Sequence, residues 1–250
     1  MIPMMQAGQF GKRRPFDPYR AWCKLLLHCD GADASATFTD SGPLAKTVTV
    51  FGNAQVDTSQ AVFDGSLQCD GTGDYLRVPN NGDFDFGSGN FFMRFRLKAD
   101  GVRADSRAFI GAWGSSQNSW VLYKNGGTNP EHDKLVAYIS SSGTTWDIRD
   151  GASPANATSI VVVSMSAFEE IGFGRSGSTF GIWENGTSVQ TFTSASALYS
   201  GGTYLFIGAD PGGNASLLGR EDEIHILKGI CPVAPGTSYL VAKVPFPNAG

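Results

Sequence analysis

The chain has 250 residues, of which 41% are hydrophobic and 17% charged, and it contains 32 glycines. This length suits one large domain or two small ones, and few charges with many glycines favour a β-sandwich or barrel over a helical bundle. The longest continuous apolar run, residues 160–163, is far shorter than the roughly 18 residues of a transmembrane helix, so we expect no association with a membrane.

The net charge of −4 is unevenly distributed along the chain. Residues 1–24 carry five basic residues against one acidic residue, whereas the remainder is acidic. Such a basic arm, rich in proline and aromatic residues, is expected to dock along another protein, and a solvated tail is the alternative. Three adjacent basic residues make too small a patch to favour nucleic acid. The candidate docking residues are Phe10, Lys12, Arg13, Arg14, Phe16, Tyr19, Arg20 and Trp22.

The segment from Phe63 to Val78, FDGSLQCDGTGDYLRV, predicts a compact series of strands and turns. Asp64-Gly65 and Asp70-Gly71 supply the positive φ angles that tight hairpins need, and Gly73-Asp74 marks a third turn. Short apolar pieces lie between these turns. We therefore expect strand, turn, strand, turn and strand, with no room for a helix.

Alternation of apolar and polar residues predicts further strands. Met93, Phe95 and Leu97 share one face of residues 91–98, and the basic residues between them share the other, which indicates one buried and one solvent-facing side. Residues 160–163 are apolar throughout, which predicts a strand buried on both faces. The proline-rich tail, residues 233–250, is expected to pack on the domain without joining a sheet. Other strands are expected at 25–29, 47–51, 108–113, 120–124, 134–140, 146–149, 169–174, 180–184, 204–208 and 223–227.

The cysteines, histidines and glycines show no strong cofactor motif. Because Cys29 and Cys69 fall at expected core positions, we expect reduced, buried thiols, with a disulfide or zinc site as the alternative. The three histidines are too scattered along the chain for zinc-site spacing. Residues 172–177 match Gly-x-Gly-x-x-Gly, but a strand and an Asn-Gly turn follow where a dinucleotide site needs a helix.

Several motifs occur in the order found in one family of β-sandwich domains. They are LLLHCDGAD (25–33), the run from Phe63 to Asp100 with DFDFGSGNF at 83–91, RSGSTFGIWENGT (175–187), YLFIGAD (204–210) and GREDEIHILKGI (219–230). In these motifs the chain resembles the concanavalin A-like jelly rolls of the laminin G and pentraxin type, as found in bacteriophage virion proteins. The resemblance covers residues 25–232 and implies an all-β fold: a two-sheet antiparallel β-sandwich, with six or seven strands in each sheet.

The resemblance also implies a possible metal site. In such domains an aspartate near the last strand often faces an Asp-Gly of the first strand, sometimes with calcium between them; here these are Asp222 and Asp30. Asp222 shares an alternation face with Ile224 and Ile226, so its carboxylate should point inward and need a cation or hydrogen-bond donors. We expect either a structural calcium at Asp30 and Asp222 or a carboxylate satisfied by backbone N–H groups, and no other cofactor.

Residues Glu221, Asp222 and Glu223 are the most enzyme-like feature of the sequence. Laminarinase-type relatives carry Glu-x-Asp-x-Glu on one strand, a pattern that this chain lacks. Alternation places Glu221 and Glu223 on one face, at a spacing that could approach that of glycosidase carboxylates. The alternative is that both are solvated. Because the pattern is absent and no third carboxylate lies on that face locally, we expect no catalytic residues and a non-enzymatic protein. The fold alone does not decide this, since it carries enzymes, lectins and passive modules alike.

The aromatic residues leave two functions open. They could form a sugar-stacking platform or fill the sandwich core, and alternation does not separate these uses. We expect a non-enzymatic virion structural protein, made in the host cytoplasm and placed as a capsid decoration or at the tail. Residues 1–24 would anchor it to other virion proteins, as a small homo-oligomer. The alternative is an adhesin that binds host-surface glycans. The aromatic residues concerned are Trp113, Trp120, Tyr123, Tyr138, Trp146 and Trp183.

Overall fold

The computed structural model describes residues 18–101, 105–127, 132–163 and 165–248. Two short 3-10 turns, Arg20–Trp22 and Pro154–Asn156, accompany the strands. Among these residues, no helix is long and apolar enough to cross a membrane. The strands are β1 (Cys23–Leu27), β2 (Thr49–Phe51), β3 (Gln55–Asp57), β4 (Ser66–Asp70), β5 (Tyr75–Pro79), β6 (Phe91–Ala99), β7 (Arg107–Ala112), β8 (Asn118–Lys124), β9 (Leu135–Gly143), β10 (Glu169–Ser176), β11 (Thr179–Glu184), β12 (Thr187–Thr193), β13 (Tyr204–Ile207) and β14 (Leu218–Lys228).

The strands form two antiparallel sheets, as predicted. The first sheet has eight strands in the order β12-β11-β10-β6-β14-β4-β3, with β1 also paired to β14. The second sheet has six strands in the order β2-β5-β13-β7-β8-β9. In the described residues the sheets thus hold eight and six strands, whereas six or seven in each were expected.

One large hydrophobic core lies between the two sheets. In β6, Met93, Phe95 and Leu97 all point into this core, which confirms the predicted buried face. The opposite face of β6 is only partly open to solvent: Arg94 and Lys98 are partly exposed, whereas Arg96 is only 7% exposed. A neighbouring part of the chain covers it: the Arg96 guanidinium donates to the Ala242 carbonyl at 2.8 Å.

That covering segment is the C-terminal tail, of which residues 233–248 are described. It crosses the outer face of the first sheet and forms no strand. The Trp183 indole N–H donates to the carbonyl of Thr237 at 2.7 Å. The tail buries a second, smaller apolar cluster outside the main core, formed by Cys23, Leu26, Phe92, Trp183, Leu227 and Phe246.

The connection between β4 and β5 differs from the predicted hairpin. Gly71 and Gly73 do have positive φ angles, 90° and 74°, as the turn chemistry requires. However, β4 pairs within the first sheet and β5 within the second, so this turn carries the chain across the sandwich. Asp74 fixes the crossing, since its buried carboxylate accepts from the backbone N–H of Asn53 (2.7 Å) and of Asp70 (2.9 Å).

Residues 160–163 do not form the predicted fully buried strand. They run extended beside β9, where the Leu135 N–H donates to Ile160 and the Val162 N–H donates to Asp133. Ile160 and Val162 are buried, but Val161 is 52% exposed. The apolar run at 160–163 is therefore an extended segment beside β9 with only one buried face. The segment at 146–149 likewise contributes a single bridge to β9, between Arg149 and Ile139, in place of a strand.

Removing the Asp74 carboxylate should destabilise the fold. Asp74→Ala leaves two backbone N–H groups without their acceptor, which should cost about 2–4 kcal/mol of unfolding free energy. Urea denaturation followed by tryptophan fluorescence measures this change. The exposed neighbour Asp64 provides the control, since Asp64→Ala should stay within about 0.5 kcal/mol of the parent. Equal stability of the two variants would contradict this role for Asp74.

Candidate functional site

An aromatic cleft lies on the outer face of the second sheet. Five side chains line it, and its volume is about 180 Å³. The four aromatic residues are only partly buried, in contrast to the aromatic residues of the core. They come from β8, β9 and the segments that follow β7 and β9. We define the aromatic cleft by these residues: Trp113, Val121, Tyr123, Tyr138 and Trp146.

The four rings hold each other in place around the cleft. Tyr123 meets Tyr138 edge-to-face at 5.7 Å and Trp113 at 6.0 Å. Trp146 is tilted against Tyr138 at 5.4 Å and against Trp113 at 6.1 Å. Such tilted and edge-to-face contacts are favourable for aromatic pairs. Each ring therefore has two aromatic neighbours that restrict its movement.

Polar groups are placed among these rings. The Tyr138 hydroxyl donates to the side-chain oxygen of Asn125, whose own amide nitrogen donates to the Gly151 carbonyl at 2.8 Å. Burial, followed by the charge of Asp150, raises the pKa of Tyr138 to about 12, so this phenol stays protonated at neutral pH. Within the described residues, the buried indole N–H of Trp113 has no acceptor.

Glycine makes room for the cleft. A Cβ atom at Gly151 would lie 2.6 Å from the ring of Tyr138. A Cβ atom at Gly111 would lie 2.7 Å from the Cβ of Val121. Both contacts are too close for a side chain, so these positions let Tyr138 and Val121 pack against the backbone.

Of the six aromatic residues that the sequence left as candidates for sugar stacking or core packing, four line the cleft and two are buried elsewhere. Trp113, Tyr123, Tyr138 and Trp146 assemble in the aromatic cleft. Trp120 is fully buried between the sheets, where its N–H donates to the Phe84 carbonyl at 3.2 Å. Trp183 is buried beneath the tail. These two tryptophans cannot contact a ligand in the cleft.

A comparison with protein families identifies the fold. A family model described as the concanavalin A-like lectin/glucanases superfamily matches residues 70–230, more than half of the chain. The protein belongs to this superfamily. No curated protein sequence matches the chain.

Solved structures of this fold include several toxin binding domains. The chain is similar to the binding domain of Paraclostridial Mosquitocidal Protein 1, at 9% identity and a TM-score of 0.62, over 85% of this chain and 50% of that one. It is also similar to the receptor binding domain of botulinum neurotoxin C/D mosaic serotype, at 12% identity and a TM-score of 0.60, over 85% of this chain and 49% of that one. The identity, TM-score and coverages are the same for the ligand binding domain of botulinum neurotoxin serotype D, solved in complex with N-acetylneuraminic acid. The chain spans about half the length of these structures, and identities this low show the fold alone.

The superfamily contains glucanases, but the carboxylates of β14 do not form a paired acid site on one face. Glu221 lies opposite Leu97 and Leu67, so it points into the core between the sheets, where it is fully buried. Neither of its oxygens has a hydrogen-bond partner among the described residues, and burial raises its pKa well above the usual range. Glu223 instead contacts the tail, where it accepts from the Phe246 N–H at 3.0 Å.

The expectation that Glu221 and Glu223 share a face, or are both solvated, is therefore wrong. The cause is a bulge in β14: pairing with β6 shifts between Asp222 and His225, and Glu223 has a φ angle of 49°. An extra residue at a bulge reverses the alternation on either side of it. Both glutamates are buried, at 0% and 2% exposed.

The two predicted calcium ligands lie at different depths. Asp222 is fully buried, and one of its oxygens accepts from the Val62 N–H at 2.9 Å. Its other oxygen has no partner among the described residues, which is the feature that would suit a cation. Asp30 is exposed at the surface nearby. In the part of the chain that the structure describes, no three His, Cys, Asp or Glu side chains gather as a metal site. A calcium ion at Asp30 and Asp222 stays a prediction.

The predicted docking residues are divided between two parts of the chain. Phe10, Lys12, Arg13, Arg14 and Phe16 lie outside the described residues. The remaining three lie at the start of the described chain. Tyr19 packs against the apolar cluster beneath the tail, and Arg20 is exposed. Trp22 is 39% exposed. Their role in docking stays a prediction.

The four cysteines are free thiols, as expected. Cys23, Cys29 and Cys69 are buried and Cys231 is partly buried. Burial raises the pKa of Cys29 and Cys69 well above the usual value. These thiols are therefore protonated side chains that pack in the manner of small apolar residues.

The buried carboxylates should make stability depend on pH. Burial raises the pKa of Asp222 from 3.8 to about 7. The folded state therefore holds this proton more tightly than the unfolded state. Protonation of Asp222 therefore stabilises the folded state fully below about pH 4, and this stabilisation is lost as the pH rises through about 7. At about 1.4 kcal/mol per tenfold difference in proton affinity, its upper limit is about 4 kcal/mol.

Asp222→Asn should remove the contribution of Asp222 to the pH dependence of the unfolding free energy. Glu221→Gln should remove a second contribution of the same sign, because burial also raises the pKa of Glu221. The measurement is the unfolding free energy of each variant minus that of the parent, between pH 4 and pH 8. Taking the difference matters because burial lowers the pKa of His225 to about 3, which gives the opposite slope below about pH 6.5. Parallel profiles for parent and Asp222→Asn would show that Asp222 is ionised in the folded protein. A drop in melting temperature on adding EDTA would then support calcium.

Proposed function

We propose that the protein is a non-enzymatic carbohydrate-binding module that stacks sugar rings in the aromatic cleft. The observation that carries the proposal is a preformed, partly exposed ring of four aromatic side chains on the outer face of a lectin-type sandwich. Sugar rings present apolar C–H faces that stack on such side chains. Ligand sites typically combine an aromatic lining with a few placed polar groups.

The polar groups around the cleft suit sugar hydroxyls. Tyr138 and Asn125 provide a hydrogen-bonded pair beside the cleft, and the buried indole N–H of Trp113 has no acceptor in the described residues. Asp150 and Asp210 lie close enough to act electrostatically on Tyr138 and Tyr123. Carboxylates accept hydrogen bonds from hydroxyl groups. Among the described residues, none of the carboxylates of β14 lines the cleft, which supports binding without hydrolysis.

We further propose that the module is displayed on a bacteriophage virion, as a capsid decoration or at the tail, and anchored by residues 1–24. The sequence resemblance and the basic arm support this placement. The geometry adds an argument. Tyr19 packs beside the tail on the outer face of the first sheet, whereas the cleft lies on the outer face of the second. An anchor at one face leaves the opposite face directed outward.

Glycan binding should depend on the cleft. On a glycan array, the full-length protein should bind a subset of oligosaccharides, and Trp146→Ala should weaken that binding at least tenfold, or about 1.4 kcal/mol. Trp113→Phe keeps a ring but removes the unpaired N–H, so it should cause a smaller loss. The control is Trp22→Ala, which removes a partly exposed tryptophan far from the cleft. Absence of glycan binding, or equal binding by the Trp146 and Trp22 variants, would refute the proposal.

Virion attachment should depend on the arm. Tagged full-length protein should label purified phage particles, and a version that begins at Lys24 should label them no more than background. Immunogold electron microscopy measures both and separates head label from tail label. If the shortened protein labels particles equally, the arm is not the anchor, and if neither protein labels them, the virion placement is wrong.

A further inference from the structure

A single row of residues crosses the outer face of the second sheet and ends in the aromatic cleft. Arg77 in β5 lies opposite Phe206 in β13, and Phe206 lies opposite Gly111 in β7. Gly111 lies opposite Val121 in β8, and Val121 lies opposite Tyr138 in β9. Residues directly opposite each other in a sheet share a face. Arg77 and Tyr138 therefore face the same side of the sheet, four strand spacings apart.

A second group of aromatic side chains surrounds Arg77. Its guanidinium carbon lies 4.6 Å from the ring centre of Phe51 and 4.3 Å from that of Tyr204. Phe51 is stacked on Tyr75 at 4.4 Å, with the ring planes 2° apart, and Tyr75 contacts Phe206 at 6.0 Å. We define these five residues as the arginine platform. The guanidinium thus lies within cation–π distance of two of its rings.

Among the described residues, the charge of Arg77 has no ion-pair partner. Arg77 is partly exposed, and within the described residues it makes no hydrogen bond or ion pair, only the two ring contacts. Other arginines of the domain are paired: Arg220 bonds Asp57 and Asp100, and Arg175 donates to several backbone carbonyls. A fixed, planar guanidinium with free donors is suited to bidentate contact with a carboxylate or sulphate group.

Trp113 joins the arginine platform to the aromatic cleft. Its side chain packs against the cluster that contains Tyr75 and Phe206, and also against the cluster that contains Val121. Its indole N–H is buried and has no acceptor among the described residues. Because Trp113 packs against both clusters, the arginine platform and the aromatic cleft are continuous, and its unsatisfied donor lies where the two meet.

We propose that this face is an extended site for a linear acidic oligosaccharide, which stacks in the aromatic cleft and places a carboxylate or sulphate group on Arg77. The proposal rests on the proposed glycan-binding function and specifies its ligand class. At about 4.8 Å between strands, roughly 19 Å separates β5 from β9, so a single sugar cannot contact both groups. A single-stranded nucleic acid is also anionic and stacks on aromatic rings, but its binding uses a groove with many basic residues along the backbone. The described row offers one cation, which favours a sparsely charged glycan.

The test compares acidic glycans with matched neutral forms on one array. Each uronic-acid, sialylated or sulphated oligosaccharide is printed beside its methyl-esterified, desialylated or desulphated counterpart, together with the component monosaccharides and a single-stranded oligodeoxythymidine. The full-length protein should bind at least one acidic oligosaccharide about tenfold more tightly than its neutral counterpart. Monosaccharides should bind much more weakly.

Arg77 should carry that preference. For the best acidic and neutral pair, Arg77→Gln should bring the ratio of the two affinities close to one, measured by calorimetry. Arg77→Lys keeps the charge without the planar fork and should retain part of the ratio. Arg20→Gln, which removes an exposed arginine of the arm, is the control and should leave the ratio unchanged. Melting temperatures establish that the variants are folded.

The outcomes separate this inference from the proposed function. If neutral and acidic glycans bind equally, or if Arg77→Gln keeps the preference, the acidic site is wrong while glycan binding stands. If no glycan binds, the proposed function fails and the inference fails with it. If oligodeoxythymidine binds more tightly than every glycan, the face is a nucleic-acid site and both proposals are overturned.

Discussion

The bulge in β14 is the constraint on which the rest of the first sheet depends. On one side of it, residues 218–221 pair with β4, and on the other side residues 224–227 pair with β1. Glu223 lies at the bulge with a φ angle of 49°, a conformation that is uncommon for a residue with a side chain. Its carboxylate contacts His28 just after β1 at 2.6 Å and accepts from the N–H of Phe246 in the tail. One strained residue therefore ties the first strand, the central strand and the tail together.

The same bulge shows what the sequence could and could not predict. Strict alternation correctly placed Ile224 and Ile226 in the core, because both lie after the bulge. It could not place Glu221, because a bulge depends on the partner strands and leaves no local signal when the residue is not glycine. Because Glu223 adopts a positive φ angle without being a glycine, the sequence did not predict the bulge. Glu221 therefore points into the core and does not share a face with Glu223.

The aromatic residues show a different limit. Within β8, alternation does separate Trp120 from Val121 and Tyr123, and the structure agrees. What alternation cannot state is which of the two faces meets the other sheet, since apolar residues occupy both. The outer face of the second sheet is aromatic, so hydrophobicity alone made it resemble a second core. Only the long-range pairing of β7, β8 and β9 shows that Trp113 and Trp146 face outward with Tyr138.

The two outer faces of the sandwich are thus unlike in a way that bears on function. The tail covers the outer face of the first sheet with specific hydrogen bonds, including those of Trp183 and Arg96, which hides apolar and charged side chains from solvent. In the described residues, the aromatic clusters of the second sheet contain no tail residue. As far as the described residues go, the second sheet leaves aromatic rings and Arg77 partly exposed, and so forgoes burial that the chain achieves on its other face. This asymmetry supports our proposal that the outer face of the second sheet, and not the carboxylates of β14, binds a glycan.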